Sequence, residues 1–278
     1  MSQALLTMIV LGLAGQPSPA LKDDANSETA QQKKWHEYYQ ARAATYEIRI
    51  EDNPQPLALE PKPVLFWSNP VRIGETNGAV FLWTHAGRPE AVGTIFSFLD
   101  RKNPDLRVVA HSFHSLSLKP LAATREGRAS WSISSAGIEP KPITDSPPPA
   151  GTASLRLAQM RELARDFKAS TSQDGIEREL RLLPQPIFRQ EEGSREVLDG
   201  SLFTFVTGTD PELMLLIEIR ESSGVPRWHY AAARFTDLSV RLWNKQAEVW
   251  SYVRGSAASD GTSAYVTGRV GTRSSTIE

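Results

Sequence analysis

A stretch of this chain returns later in the same chain. Leu57–Leu65 (LALEPKPVL) recurs 123 residues on as Leu180–Phe188 (LRLLPQPIF), and Gly78–Phe96 aligns without a gap on Gly200–Glu218 at an offset of 122. The second block preserves Gly78/Gly200, Phe81/Phe203, Pro89/Pro211, Glu90/Glu212 and Ile95/Ile217 within a shared alternation of apolar residues. At the same offset Ala110, Phe113, Leu116 and Ser117 match Ala232, Phe235, Leu238 and Ser239, while Trp131-Ser132 matches Trp250-Ser251 at 119. Colinear blocks with a nearly constant shift imply an internal duplication, so one set of elements must serve both halves. Positions kept in both copies belong to the scaffold. Polar positions found in one copy only are where a task can reside.

Each half begins with helix-forming composition and continues as short alternating runs. Ser27 to Thr45 places Trp35, Tyr38, Tyr39 and Ala43 on one helical face, and Leu155 to Ala169 places Leu157, Met160, Ala164 and Phe167 on another. Strands are predicted at 46–50, 63–67, 79–84, 91–98 and 107–115, and again at 177–189, 201–206, 213–220, 228–234 and 247–252. The matched Pro89-Glu90 and Pro211-Glu212 pairs are read as hairpin turns, since proline fixes φ and cannot donate to a ladder. The expected fold class is α+β: a duplicated unit of helix plus antiparallel sheet, in cystatin-like or NTF2-like order, with packing into one pseudo-symmetric body as a variant. The expected domains are copy 1 at 27–137, a proline-rich linker at 138–154 (with Pro147, Pro148 and Pro149 in a row), copy 2 at 155–253 and a disordered tail at 254–278.

Composition excludes more than it assigns. Forty percent apolar residues and seven tryptophans suffice for packed cores. A formal net charge of −1, with scattered basic residues, argues against a nucleic-acid partner. The absence of cysteine excludes disulfides, thiolate metal sites and a cysteine nucleophile. The apolar run Ala4–Leu13, followed by small residues and prolines to Ala20, marks residues 1–20 as a signal peptide and the protein as exported, periplasmic or extracellular. That run is too short to span a membrane.

Four motifs, GAVFLWTHAGRPEAV from Gly78, HSFHSLS from His111, LRLLPQPIF from Leu180 and GSLFTFVTGTDPE from Gly200, make residues 57–253 resemble a family of exported bacterial proteins with no known activity. The resemblance implies that this layout recurs and nothing about chemistry.

Catalytic and cofactor motifs are missing. His36-Glu37 opens an HExxH-like string, but Gln40 stands where the second zinc ligand belongs. Gly268 and Gly271 lack the strand and helix that a dinucleotide fingerprint requires, so no cofactor and no metal are expected. Three histidines of copy 1 stand out as catalytic candidates: His85, His111 and His114, aligned at the repeat offset with Thr207, Ala233 and Thr236. His111 and His114, three apart on one strand, point to opposite faces. The alternative pairing is His85 with His111 across strands, beside Ser115. Trp67, Trp228 and Trp243, unmatched by tryptophan in the other copy, are the ligand-stacking candidates, and Glu90 and Glu212 are read as solvated carboxylates. The leading expectation is an exported, non-catalytic module binding a small molecule, a glycan or a protein. The alternatives are a hydrolase or metal-dependent enzyme with a histidine site in copy 1, and a structural envelope protein.

Overall fold

The computed structural model describes residues 29–69, 74–190, 197–222, 224–255 and 262–277. The signal peptide expected at 1–20 lies outside the described residues. In chain order the first half contains α1 (Ala30–Ala43), β1 (Tyr46–Ile50), β2 (Ala58–Leu59), β3 (Leu65–Asn69), β4 (Thr76–His85), β5 (Arg88–Leu99), β6 (Leu106–Ser115), β7 (Leu121–Arg125) and β8 (Arg128–Ile133). The connecting segment holds β9 (Lys141–Pro142). There follow α2 (Ala153–Arg165), β10 (Phe167–Gln173), β11 (Ile176–Leu182), β12 (Phe188–Gln190), β13 (Val197–Thr207), β14 (Asp210–Ser222), β15 (Val225–Arg234), β16 (Ser239–Asn244), β17 (Ala247–Tyr252) and β18 (Tyr265–Ser274).

This overturns the α+β expectation. Among the described residues, two helices of 14 and 13 residues stand against eighteen strands, all paired antiparallel, in curled sheets that carry the fold. The cause lies in burial. The central strands are apolar on both faces, which a single sheet covered by one helix does not require. Ala79, Phe81 and Trp83 of β4 enter a first core with Trp35 and Tyr39 of α1, while Val80 and Leu82 point the other way. Leu213, Leu215, Ile217 and Ile219 of β14 enter a second core under α2, while Met214 and Leu216 point out of it. The outward sets meet, with Leu202, Ala231 and Phe235, in a third apolar layer that joins the halves. At about 25 cal/mol per Å² of apolar surface buried, that seam is a core in its own right.

The first half has a sheet in the order β18-β6-β5-β4-β2, with β3 also on β4, and a separate sheet β1-β7-β8. The second half forms one sheet in the order β17-β16-β10-β11-β13-β14-β15-β9, with β12 on β13. Tight turns set several hairpins. Ala86-Gly87, Glu126-Gly127 and Asp174-Gly175 each hold two residues at positive φ, the conformation that suits a two-residue hairpin.

The Pro-Glu pairs are not turns. Trp83 pairs with Ala91 and Thr84 with Pro89, so Glu90 is an extra residue in β5, and Glu212 is likewise extra between the Phe205–Leu213 and Val206–Pro211 pairs. These are β-bulges, where proline is tolerated within a ladder. Both bulged carbonyls accept a backbone hydrogen bond at 2.8 Å, Glu90 from Leu116 and Glu212 from Phe235.

Two further expectations fail. The segment read as a linker is packed: Ile138 enters the seam, Ile143 the second core, and β9 pairs with β15. The segment read as a disordered tail supplies β18, which pairs along β6 from Tyr265–His114 to Ser274–Leu106, and it brings Val266 of that strand and Ile277 beyond it into the first core. Backbone hydrogen bonds to an open edge hold it, which its Ser-, Gly- and Thr-rich composition does not advertise. Among the described residues no helix is long and apolar enough to cross a membrane.

Candidate functional site

The two sheets supply an internal reference for the histidines, and it differs from the sequence offset. Ala91 pairs with Ser115 and the matching Leu213 pairs with Arg234, so beyond β5 the offset falls from 122 to 119, in line with Trp131/Trp250. His111 therefore matches Tyr230, and His114 matches Ala233. The matches of Phe113 with Phe235 and Leu116 with Leu238 dissolve, since Phe113 lies in the first core and Phe235 in the seam.

His111 is a scaffold residue by this measure. Its Nδ1 is hydrogen-bonded to Tyr46 Oη, its ring lies 5.6 Å from that of Tyr46, and a Cβ on Gly268 would meet its Nε2 at 2.9 Å. The matching pair in the second half, Phe167 and Tyr230, has its rings 5.0 Å apart. Burial, with the Arg125 charge adding, lowers the His111 pKa to about 4. His85 is exposed at the end of β4, 3.3 Å from the Asn53 amide. His111 lies opposite Ile95, which pairs with Ala79, six residues from His85 along β4. At about 3.3 Å per residue the two histidines are roughly 20 Å apart, too far to share a ligand or an ion. Ser115 Oγ is occupied by the Ser117 amide at 3.2 Å. Among the described residues no cluster of three or more His, Asp or Glu could hold a metal ion.

The tryptophan candidates are also separated. Trp67 is buried in the seam, with its indole N–H on Thr94 Oγ1 at 3.1 Å, and Trp228 is 1% exposed in the second core. Trp243 lies half-buried over a shallow surface depression with Lys168, Lys245, Glu177 and Glu179. Glu90 and Glu212 are buried rather than solvated. Glu90 contacts Arg88 at 2.9 Å, and Arg88 crosses to Glu218 of the other sheet at 2.8 Å, with Arg220 a further 2.9 Å from Glu218. Burial raises the Glu90 carboxyl above its usual range, with Arg88 opposing the rise.

That ion cluster seals one end of the seam. The other end is open. Arg88 matches Asp210 and Glu218 matches Phe96, and these counterparts line a cavity of about 380 Å³ with Trp67, Phe98 and Phe235. Tyr265 of β18 lines this cavity and also a neighbouring one of about 550 Å³. The larger cavity brings together His114, Arg234, Trp250, Tyr252 and the segment Ser135–Ile138.

Arg234 is its centre. The guanidinium carbon lies 3.7 Å from the Tyr252 ring centroid and 4.2 Å from that of Tyr265, so two aromatic rings pack against it. Each such contact contributes about 0.5–2 kcal/mol and fixes the plane of the fork. One Nη1–H donates to the Thr236 carbonyl at 3.3 Å, and no carboxylate of the described residues forms an ion pair with Arg234. Burial lowers the Arg234 pKa, and Tyr252, Tyr265 and Asp237 offset part of that cost. His114, buried, donates from Nδ1 to the Ser115 carbonyl at 2.8 Å. Burial, with the Arg234 charge adding and the Ser115 bond opposing, brings its pKa down to about 4. Burial and Asp237 raise that of Tyr265, whose hydroxyl donates to Ser112 Oγ at 3.2 Å.

Of the six sequence candidates, only His114 joins this cavity. Arg234 went unnoticed because only the histidines of the first half stood out as one-copy polar residues, and Trp250 because its recurrence marked it as scaffold. No protein-family model, curated protein or solved structure matches this chain, and the cleft beside Arg234 stands on its own geometry.

Proposed function

We propose that this protein is a non-catalytic binding module that holds a small organic carboxylate in the cleft between its sheets. The observation that carries the reading is Arg234: a half-buried guanidinium held against the rings of Tyr252 and Tyr265 beside a cavity, with the Asp237 charge acting on it but no salt bridge to a carboxylate among the described residues. A planar fork in a fixed orientation suits bidentate capture of a carboxylate. Trp250 and Tyr252 offer flat apolar surface to the rest of the molecule. Of the serines lining the cavity, Ser263 is engaged, its Oγ donating to the Tyr265 carbonyl.

Calorimetric titration with 3-phenylpropionate tests the reading. Binding is expected for the wild-type protein and a loss of at least about tenfold for Arg234→Gln, which removes one charge-assisted pair. Wild-type protein that binds no carboxylate at millimolar concentration overturns it. The reading places the protein outside the cytoplasm, on the strength of residues 1–20. N-terminal sequencing of the mature chain that begins at Met1 refutes that part.

A further inference from the structure

We infer that the molecule held in this cleft carries a hydrogen-bond donor close to its carboxylate, as an α-hydroxy or α-amino acid does. The inference rests on the carboxylate-binding reading and assigns a specificity role to His114. On β6, His114 faces away from the first core and lines the 550 Å³ cavity with Arg234. Both groups sit against one ring: the imidazole centroid is 6.4 Å from that of Tyr265, and Arg234 lies over the same ring at 4.2 Å.

The tautomer is set by the backbone. A carbonyl accepts only, so the His114 Nδ1 atom bonded to Ser115 O carries the proton, and Nε2 of the neutral ring presents a lone pair. No hydrogen bond to Nε2 is found among the described residues. The cleft therefore offers a cationic donor fork and, beside it, a neutral acceptor. An anion with acceptors alone, such as inorganic phosphate or a simple carboxylate, meets the fork but faces the lone pair unfavourably. A carboxylate with an adjacent O–H or N–H satisfies both, leaving no buried polar group unpaired. The second half has Ala233 at the place matching His114, and the first has Ser115 at the place matching Arg234. The pair is thus a property of this one end of the seam and not of the repeated scaffold.

The test compares ligands that differ only at the α carbon: 3-phenylpropionate, 3-phenyllactate and phenylalanine, with inorganic phosphate as the acceptor-only control. At neutral pH the wild-type protein is expected to bind phenyllactate or phenylalanine about tenfold more tightly than phenylpropionate, and phosphate most weakly. The two α-substituted arms distinguish a hydroxyl from an ammonium donor. His114→Phe, which keeps a ring and removes the lone pair, is expected to bring all three organic acids to the phenylpropionate level. Equal wild-type affinity for all three overturns the inference while leaving carboxylate binding intact, and needs no variant to fold. Failure of every carboxylate to bind overturns the parent reading and this one with it.

Discussion

His111 and His114 stand three residues apart on β6, yet one is sealed in the first core against Tyr46 and the other borders the cleft. The separation of faces was legible from strand periodicity, whereas their counterparts were not. A shift of three residues reverses the parity of a strand, so matching His111 to Ala233 placed an inward residue on an outward one. Both rings are buried neutral, with pKa values lowered from 6.5 to about 4. The unfolded chain binds these two protons below pH 6.5 and the folded chain does not until about pH 4, so stability is full above 6.5 and falls through that window. Calorimetric melting from pH 7 to pH 4 should show a decline of up to about 3 kcal/mol per histidine, and His111→Phe should flatten part of it. Close packing makes a second prediction. A Cβ on Gly93 would lie 2.4 Å from Phe113 Cε1, so Gly93→Ala should cost about 1–3 kcal/mol in urea unfolding without altering ligand affinity.

At the level of elements, the positions of the central strands follow from the alternation and apolar density of the sequence, and both helices begin at a threonine cap. Thr29 Oγ1 accepts from the Gln32 amide, and Thr152 Oγ1 from that of Leu155. The class was misjudged because a helix ahead of a meander looks the same whether the sheet is covered once or buried on both faces. What distinguishes the cases is the unbroken apolar run in FLW and LMLLI, read here as the signature of a shared seam. The Pro-Glu bulges were likewise taken for turns, since proline signals both. Their charge is structural: Arg88 holds Glu90 and Glu218 inside the seam. Arg88→Met takes the cation from buried Glu90 and leaves Glu218 with Arg220 alone, and should cost about 3–5 kcal/mol, measured from urea midpoints, with the cleft at the far end still binding carboxylate.

At the scale of the whole molecule, the connecting segment adds β9 to the edge of β15, and the chain returns after the second half to add β18 to the edge of β6. Neither half is closed by its own residues, and composition could not reveal this, because the last strand is held largely through its backbone. Ending the protein at Arg254 removes Tyr265 from Arg234 and uncovers β6. Such a truncation should lose carboxylate binding and self-associate, visible by size-exclusion chromatography as a shift to larger species. The same arrangement governs the order in which the molecule can be made. A ribosome releases β2 to β6 long before the strand that completes their sheet, so that sheet waits, unfinished, until residues 265–274 emerge. It also makes the protein divisible: a body ending at Arg254 and a synthetic peptide spanning residues 262–277 are the two halves of a complementation pair, with restored binding as their signal.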